Sequence, residues 1–224
     1  MKNDRDLQLD VLDELRWEPG VNATDIAVTV NDGVVTLEGA VDSYAEKSAA
    51  ERAVKRVPGV KALAVELEVK LPNCSERNDA DIARIAKNVL DWDVLVPHGR
   101  IKVTAEKGCL TLEGEVDWQF QKSAAEQAVL HLTGVKGVTN LITVKPKVAP
   151  TMVKEQIEAA LKRNAILEAS QIKVQVDGAT VTLSGSVGSW AECEEAEEAA
   201  WAAPGVSEVK SNITVSYGSP SRAA

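Results

Sequence analysis

Three stretches of this 224-residue chain align on one another without a gap. They are VTLEGAVDSYAEKSAAERAVKRVPGV from Val35, LTLEGEVDWQFQKSAAEQAVLHLTGV from Leu110 and VTLSGSVGSWAECEEAEEAAWAAPGV from Val181. Length alone suggests one large domain or two medium ones, but an internal repeat overrides that expectation, because the chain is then three copies of one unit. Matched positions include Thr36, Thr111 and Thr182; Gly39, Gly114 and Gly185; Glu51, Glu126 and Glu197; and Gly59, Gly134 and Gly205.

Each copy reads α-β-β-α-β. A first helix shows apolar residues three and four apart: Leu12 and Leu15; Ile82, Ile85 and Val89; Val153, Ile157 and Leu161. Alternating Ile26, Val28 and Val30, the turn Asn31-Asp32-Gly33, then Val35 and Leu37 read as a β-hairpin. Glu106-Lys107-Gly108 and Asp177-Gly178 hold the same place in the other copies, the former a poorer turn in which only the glycine helps. An alanine-rich stripe (Ala49, Ala50, Ala53, Val54, Val57) makes the second helix, and Gly59, Gly134 and Gly205 sit where a helix stops. The closing strands carry Leu63, Val65, Leu67 and Val69; Val138, Ile142 and Val144; Val209, Ile213 and Val215. The fold class expected is α+β: three tandem domains, each a small three-stranded mixed sheet with two helices on one face. A helix between strands two and three makes that pair parallel. Prolines near residue 72 and at 146 and 150 place the domains at 1–71, 76–147 and 151–217, with a flexible tail at 218–224.

The chain carries 25 basic and 34 acidic residues, net −9, so attraction to nucleic acid is not expected. The balance is uneven: residues 1–71 hold 9 basic and 14 acidic side chains, 72–147 hold 10 and 10, and 148–224 hold 6 and 10. Its opening, MKNDRDLQLD, places charges where a secretory leader needs an apolar run, and no stretch matches a membrane span. A soluble, cytoplasmic chain is expected. Cys74, Cys109 and Cys193 lack C-x-x-C spacing, so reduced thiols are expected, with Cys109 packing as a small residue and the other two exposed.

The pattern V-T-L-x-G-x-V, an Ala-Glu-rich helix, G-V and a closing V-x-x-x-I-T-V strand resembles the BON domain, over nearly the whole chain and three times. BON domains occur in bacterial osmotically induced proteins and in membrane-associated ones. The resemblance implies a non-enzymatic binding module, for phospholipid or a membrane-associated partner, in a stress- or envelope-related role. The residues alone leave open a different class, an interaction scaffold that uses repeated domains for protein–protein or self-association.

No catalytic residue, cofactor or metal ligand is expected. His98 and His131 read as surface residues, and Gly39, Gly114 and Gly185 as backbone turns rather than a phosphate cradle, since no G-x-x-x-x-G-K-[ST] loop exists. Glu51, Glu126 and Glu197 read as solvated helix positions or as side chains reaching back to a neighbouring backbone N–H, and the acidic run Glu192, Glu194, Glu195, Glu197 and Glu198 reads as a solvated helix face. Trp17 and Trp92 match one another near the end of the first helix and are expected in the core or at its rim. Trp118 and Trp190, just past the second strand, suit packing between repeats or insertion into a membrane interface. The neutral middle copy is where lipid contact is expected, around Trp118 and Phe120 with Lys122 and Arg84; Trp190 completes the candidate surface.

Overall fold

Alternation of period two and apolar stripes of period 3.6 yield the elements that the sequence predicts, in the same order in every copy as far as the described residues go. The computed structural model describes residues 3–72, 75–145, 157 and 172–215. Copy one holds α1 (Asp4–Trp17), β1 (Ile26–Asn31), β2 (Val34–Val41), α2 (Tyr44–Arg56) and β3 (Ala62–Val69). Copy two holds α3 (Asp79–Trp92), β4 (Ile101–Glu106), β5 (Cys109–Val116), α4 (Gln119–Leu130) and β6 (Gly137–Val144). Copy three holds β7 (Ile172–Asp177), β8 (Thr180–Val187), α5 (Trp190–Trp201) and β9 (Glu208–Val215). Its first helix falls outside the described residues except for Ile157, which is helical and fully buried. Val153, Leu161, Cys74 and the tail at 218–224 also lie outside them.

Three separate sheets form, each with the central strand antiparallel to the first and parallel to the third. The register repeats: Ile26 faces Gly39, Ile101 faces Gly114 and Ile172 faces Gly185. One face of each sheet is buried. In copy one Val28, Val35, Leu37 and Leu67 meet Leu7, Val11 and Leu15 of α1 and Ala50, Ala53 and Val54 of α2. Alanines on α2 let the helix approach the sheet closely, so a short unit still excludes water from a continuous core. In α3 the buried stripe is Ile82, Ala86 and Leu90, with Ile85 and Val89 only half-buried, one step round the helix from the stripe expected. The opposite sheet faces are polar and open, with Thr29, Glu38, Lys102, Glu113, Lys173 and Lys210 exposed. The sheets therefore do not stack on each other.

The three matched glycines sit within β2, β5 and β8, not in turns after them, at φ +138°, +154° and +146°. The reason is proximity: a Cβ on Gly39 would lie 2.0 Å from the Asp25 carbonyl oxygen, and one on Gly114 2.3 Å from that of Arg100. In the hairpins, Asp32-Gly33 and Lys107-Gly108 both take positive φ, the conformation of a two-residue turn that matches strand twist. Lys107 is held there from outside: the Asp79 carboxylate accepts the Lys107 and Gly108 N–H groups, each at 2.8 Å. Asp4 does the same for Asp32 and Gly33, at 2.8 and 3.0 Å. In copy three the turn is Gly178-Ala179, one residue beyond the Asp177-Gly178 expected, with Gly178 at φ +59°.

Two outcomes follow. Gly39→Ala lowers unfolding stability in urea by about 2 kcal/mol or more, whereas Gly99→Ala, where a Cβ meets nothing within 4 Å, costs about 1 kcal/mol. Backbone hydrogen bonds from Gly108 and Lys107 hold the Asp79 carboxyl below its usual range. Its contribution to stability is therefore present above about pH 4 and is lost as pH falls through the lowered native value. In Asp79→Asn, stability measured against pH declines less steeply on the acid side.

Candidate functional site

In every copy two residues separate the central strand from the second helix, so the start of that helix is pinned to the rim of the sheet. Ser43 caps α2, its Oγ accepting the Glu46 N–H at 3.1 Å, while Glu46 accepts the N–H groups of Asp42 at 2.9 Å and Asn22 at 2.7 Å. Ser189 and Glu192 repeat the arrangement on α5. The Ser-x-x-Glu spacing carries this signal in the sequence. Copy two departs from it. Trp118 stands at the cap without a side-chain acceptor, and Gln121 alone holds the Asp117 and Trp118 N–H groups, at 3.0 and 3.1 Å. Giving up a serine cap costs about 1 kcal/mol.

The first residue of the second helix reaches from one copy to another. Tyr44 of α2 packs against the core of copy two and is hydrogen-bonded to the backbone of Val138. Burial, with Glu51 and Glu126 nearby, pushes its phenol above the ordinary value. A small gap of about 150 Å³ beside it is bounded by Leu71 and by the turn after α4, at Leu130 to Val135. Trp190 of α5 does the same toward copy one, its Nε1–H donating to the Val60 carbonyl at 3.0 Å. An ion pair between Lys55 and Glu194, at 2.5 Å, joins α2 to α5 beside it. Copy one thus leans on copy two, and copy three on copy one, each by a helix start set against the far end of the next copy's second helix.

The remaining seam, from copy two to copy three, is open. The start of α4 (Trp118, Gln119, Phe120) and the end of α5 (Glu198, Trp201, Ala202) face each other across a mostly apolar cleft of about 470 Å³. Trp118 and Phe120 stand side by side, ring centroids 6.4 Å apart and planes tilted by 32°. Phe120 is 53% exposed. The structure thus brings Trp118 and Phe120 together, while Trp190 lies at another seam. Lys122 is half-buried on α4, its carbonyl accepting from Asn140, and Arg84 on α3 is paired with Asp81 at 2.9 Å.

Other expectations are corrected. Trp17 and Trp92 are not core or rim residues: they are 83% and 89% exposed. Each follows a buried leucine, Leu15 or Leu90, by two positions, about 200° round the helix and so on its outer side. Beside Trp92, Val94 and Leu95 are exposed too. Cys109 is exposed instead of packed, and Cys193 is half-buried with its Sγ 3.4 Å from Glu197. Burial raises the Cys193 thiol, and Glu197 adds to that, so it is a poor nucleophile. Glu51, Glu126 and Glu197 are half-buried, not solvated; Glu126 accepts from the Asn140 amide at 3.0 Å. His98 and His131 are exposed. Gly59, Gly134 and Gly205, all at positive φ, lie between second helix and closing strand. Among the described residues, no group of three or more His, Cys, Asp or Glu could hold a metal, and no helix is long and apolar enough to cross a membrane.

The family model of the BON domain matches residues 3–70, 78–146 and 151–217. Osmotically-inducible protein Y of Escherichia coli (strain K12) is 33% identical over 131 residues, which is 56% of this chain and 64% of that protein. The chain thus matches somewhat under two thirds of the length of this relative. Among solved structures, CdsD, a structural protein of the type III secretion system of Chlamydia trachomatis, is 16% identical and aligns over 94% of this chain and 92% of its own, with a TM-score of 0.27. The PrgH periplasmic domain is 13% identical over 93% of this chain and 100% of its own, with a TM-score of 0.22.

Within the seam between copies one and three, the ring and the ion pair carry different weight. Trp190→Ala lowers stability by about 2 kcal/mol, whereas a double-mutant cycle on Lys55 and Glu194, read by chemical denaturation, gives under about 1 kcal/mol and fades as salt is raised.

Proposed function

We propose that this chain, which belongs to the BON domain family, is a non-enzymatic binding module that adsorbs to phospholipid surfaces through its middle copy, with its units at 1–71, 76–147 and 151–217. One observation carries the reading: Trp92, Val94 and Leu95, at 89%, 94% and 52% exposure, form an apolar knob at the end of α3. Single exposed apolar residues are ordinary, but three around one turn, with an indole among them, suit the boundary between headgroups and acyl chains. The knob sits on the copy whose basic and acidic residues balance at 10 each, so repulsion from an anionic bilayer is least there. Trp118, Phe120, Lys122 and Arg84, the surface expected from sequence, are less suited: Lys122 is half-buried and Arg84 is neutralised by Asp81.

A stress-related setting is supported by the osmotically-inducible relative; induction of the transcript under osmotic challenge checks it. A cytoplasmic location belongs to the same proposal and is checked by cell fractionation. Self-association is the second reading. Its support is that each sheet keeps two unpaired edges, with Leu141 exposed on β6; it would appear as concentration-dependent sedimentation without lipid.

In vesicle sedimentation the chain pellets with neutral phospholipid, and less with anionic vesicles at low salt, the gap narrowing as salt screens the net −9 charge. Trp92→Ser with Val94→Ser reduces pelleting about tenfold, while Trp118→Ala with Phe120→Ala leaves it unchanged. The reverse pattern, or no pelleting at all, sinks the reading.

A further inference from the structure

The seam between copies two and three departs from the internal repeat on both walls at once. On the α4 side, Trp118 stands where the other copies have Ser43 and Ser189, and Phe120 where they have Ala45 and Ala191. Gln119 replaces Tyr44 and Trp190, the very side chains that close the other two seams. On the α5 side, Trp201 stands where the others have Lys55 and Leu130, and Glu198 where they have Arg52 and Gln127. Three rings and one carboxylate thus converge at positions where neither other copy carries a ring or a carboxylate, and the seam is left as a cleft of about 470 Å³. That volume falls in the range of small-ligand sites.

We propose that this cleft binds a small organic cation bearing a methylated ammonium group. Charge complementarity selects the occupant. No Lys or Arg lines the cleft among the described residues, and Glu198 has no side-chain partner among them. Indole and phenyl faces carry negative potential and attract a desolvated cation, and a methylated ammonium presents both a charge and an apolar skin to such walls. An anionic ligand would meet a carboxylate and no donor of full positive charge. The rings come from α4 and α5 of different copies, so the site exists only in the assembled chain.

The test is a calorimetric titration of the full chain with choline, beside its neutral tert-butyl analogue in which carbon replaces the ammonium nitrogen. Saturable choline binding is expected, with the neutral analogue at least about tenfold weaker. Glu198→Gln weakens choline about tenfold. Trp118→Ser with Phe120→Ala abolishes binding; both changes install what copies one and three already carry, so an unchanged circular dichroism spectrum and a melting temperature that does not fall show that the fold is kept. Trp92→Ser with Val94→Ser binds choline normally, which separates this site from the phospholipid reading. Phosphatidylcholine vesicles distinguish the sources of the group: competition with free choline names the lipid headgroup, and its absence names the free cation, the site standing in either case. Equal binding of the neutral analogue, unchanged affinity in the variants, or no saturable choline binding overturns the proposal.

Discussion

The two-residue step from central strand to second helix is the constraint on which the rest of the molecule turns. It leaves no slack, so the helix must start at the sheet rim, cap itself from the residues at hand, and hold its first side chain outward in one direction. Close backbone approach within the same strand enforces this path: the β2 glycine lies so near the Asp25 carbonyl that no side chain fits. Once the path is set, a Tyr or Trp at the first helical position is a probe of fixed length, and the neighbouring copy meets it with the turn after its own second helix. Packing within a copy and contact between copies therefore share one cause.

Much of this was legible because it repeats. The strand alternation, the hairpin turns, the alanine stripe and the closing strand each recur three times, and any one of them read alone would be weak. The parallel pairing followed from the helix between strands two and three. Tertiary geometry was less visible. Trp17 and Trp92 matched one another, and a matched aromatic reads as core; yet lying two residues after a buried leucine turns each of them away from it. The carboxylates of Asp4 and Asp79 brace the hairpins across 28 residues of sequence, and nothing local to either aspartate announces that. Their effect is plain in copy two, where a lysine holds a left-handed conformation because its N–H is gripped from outside.

Which copy meets which was the least legible part. Sequence order suggests a string in which copies one and three are strangers, yet Trp190 and Glu194 join them across 130 and 139 residues. Periodicity reports which face of a helix is apolar, not which partner a terminal side chain will find. The open, charged outer faces of the sheets complete the picture: with those faces excluded from stacking, only the helix ends remain for contact between copies.

Copies one and three each carry a donor end, Tyr44 or Trp190, that seats on another copy, and such units would ordinarily add to one another without limit, as subunits do in a filament. Within this chain the third copy's donor turns back to the first copy's acceptor, and Gln119 leaves copy two with no ring at that position to reach copy three, so growth through these ends stops at the open seam. The stop signal for growth is in that sense written at the start of α4, in one residue and not in the count of repeats.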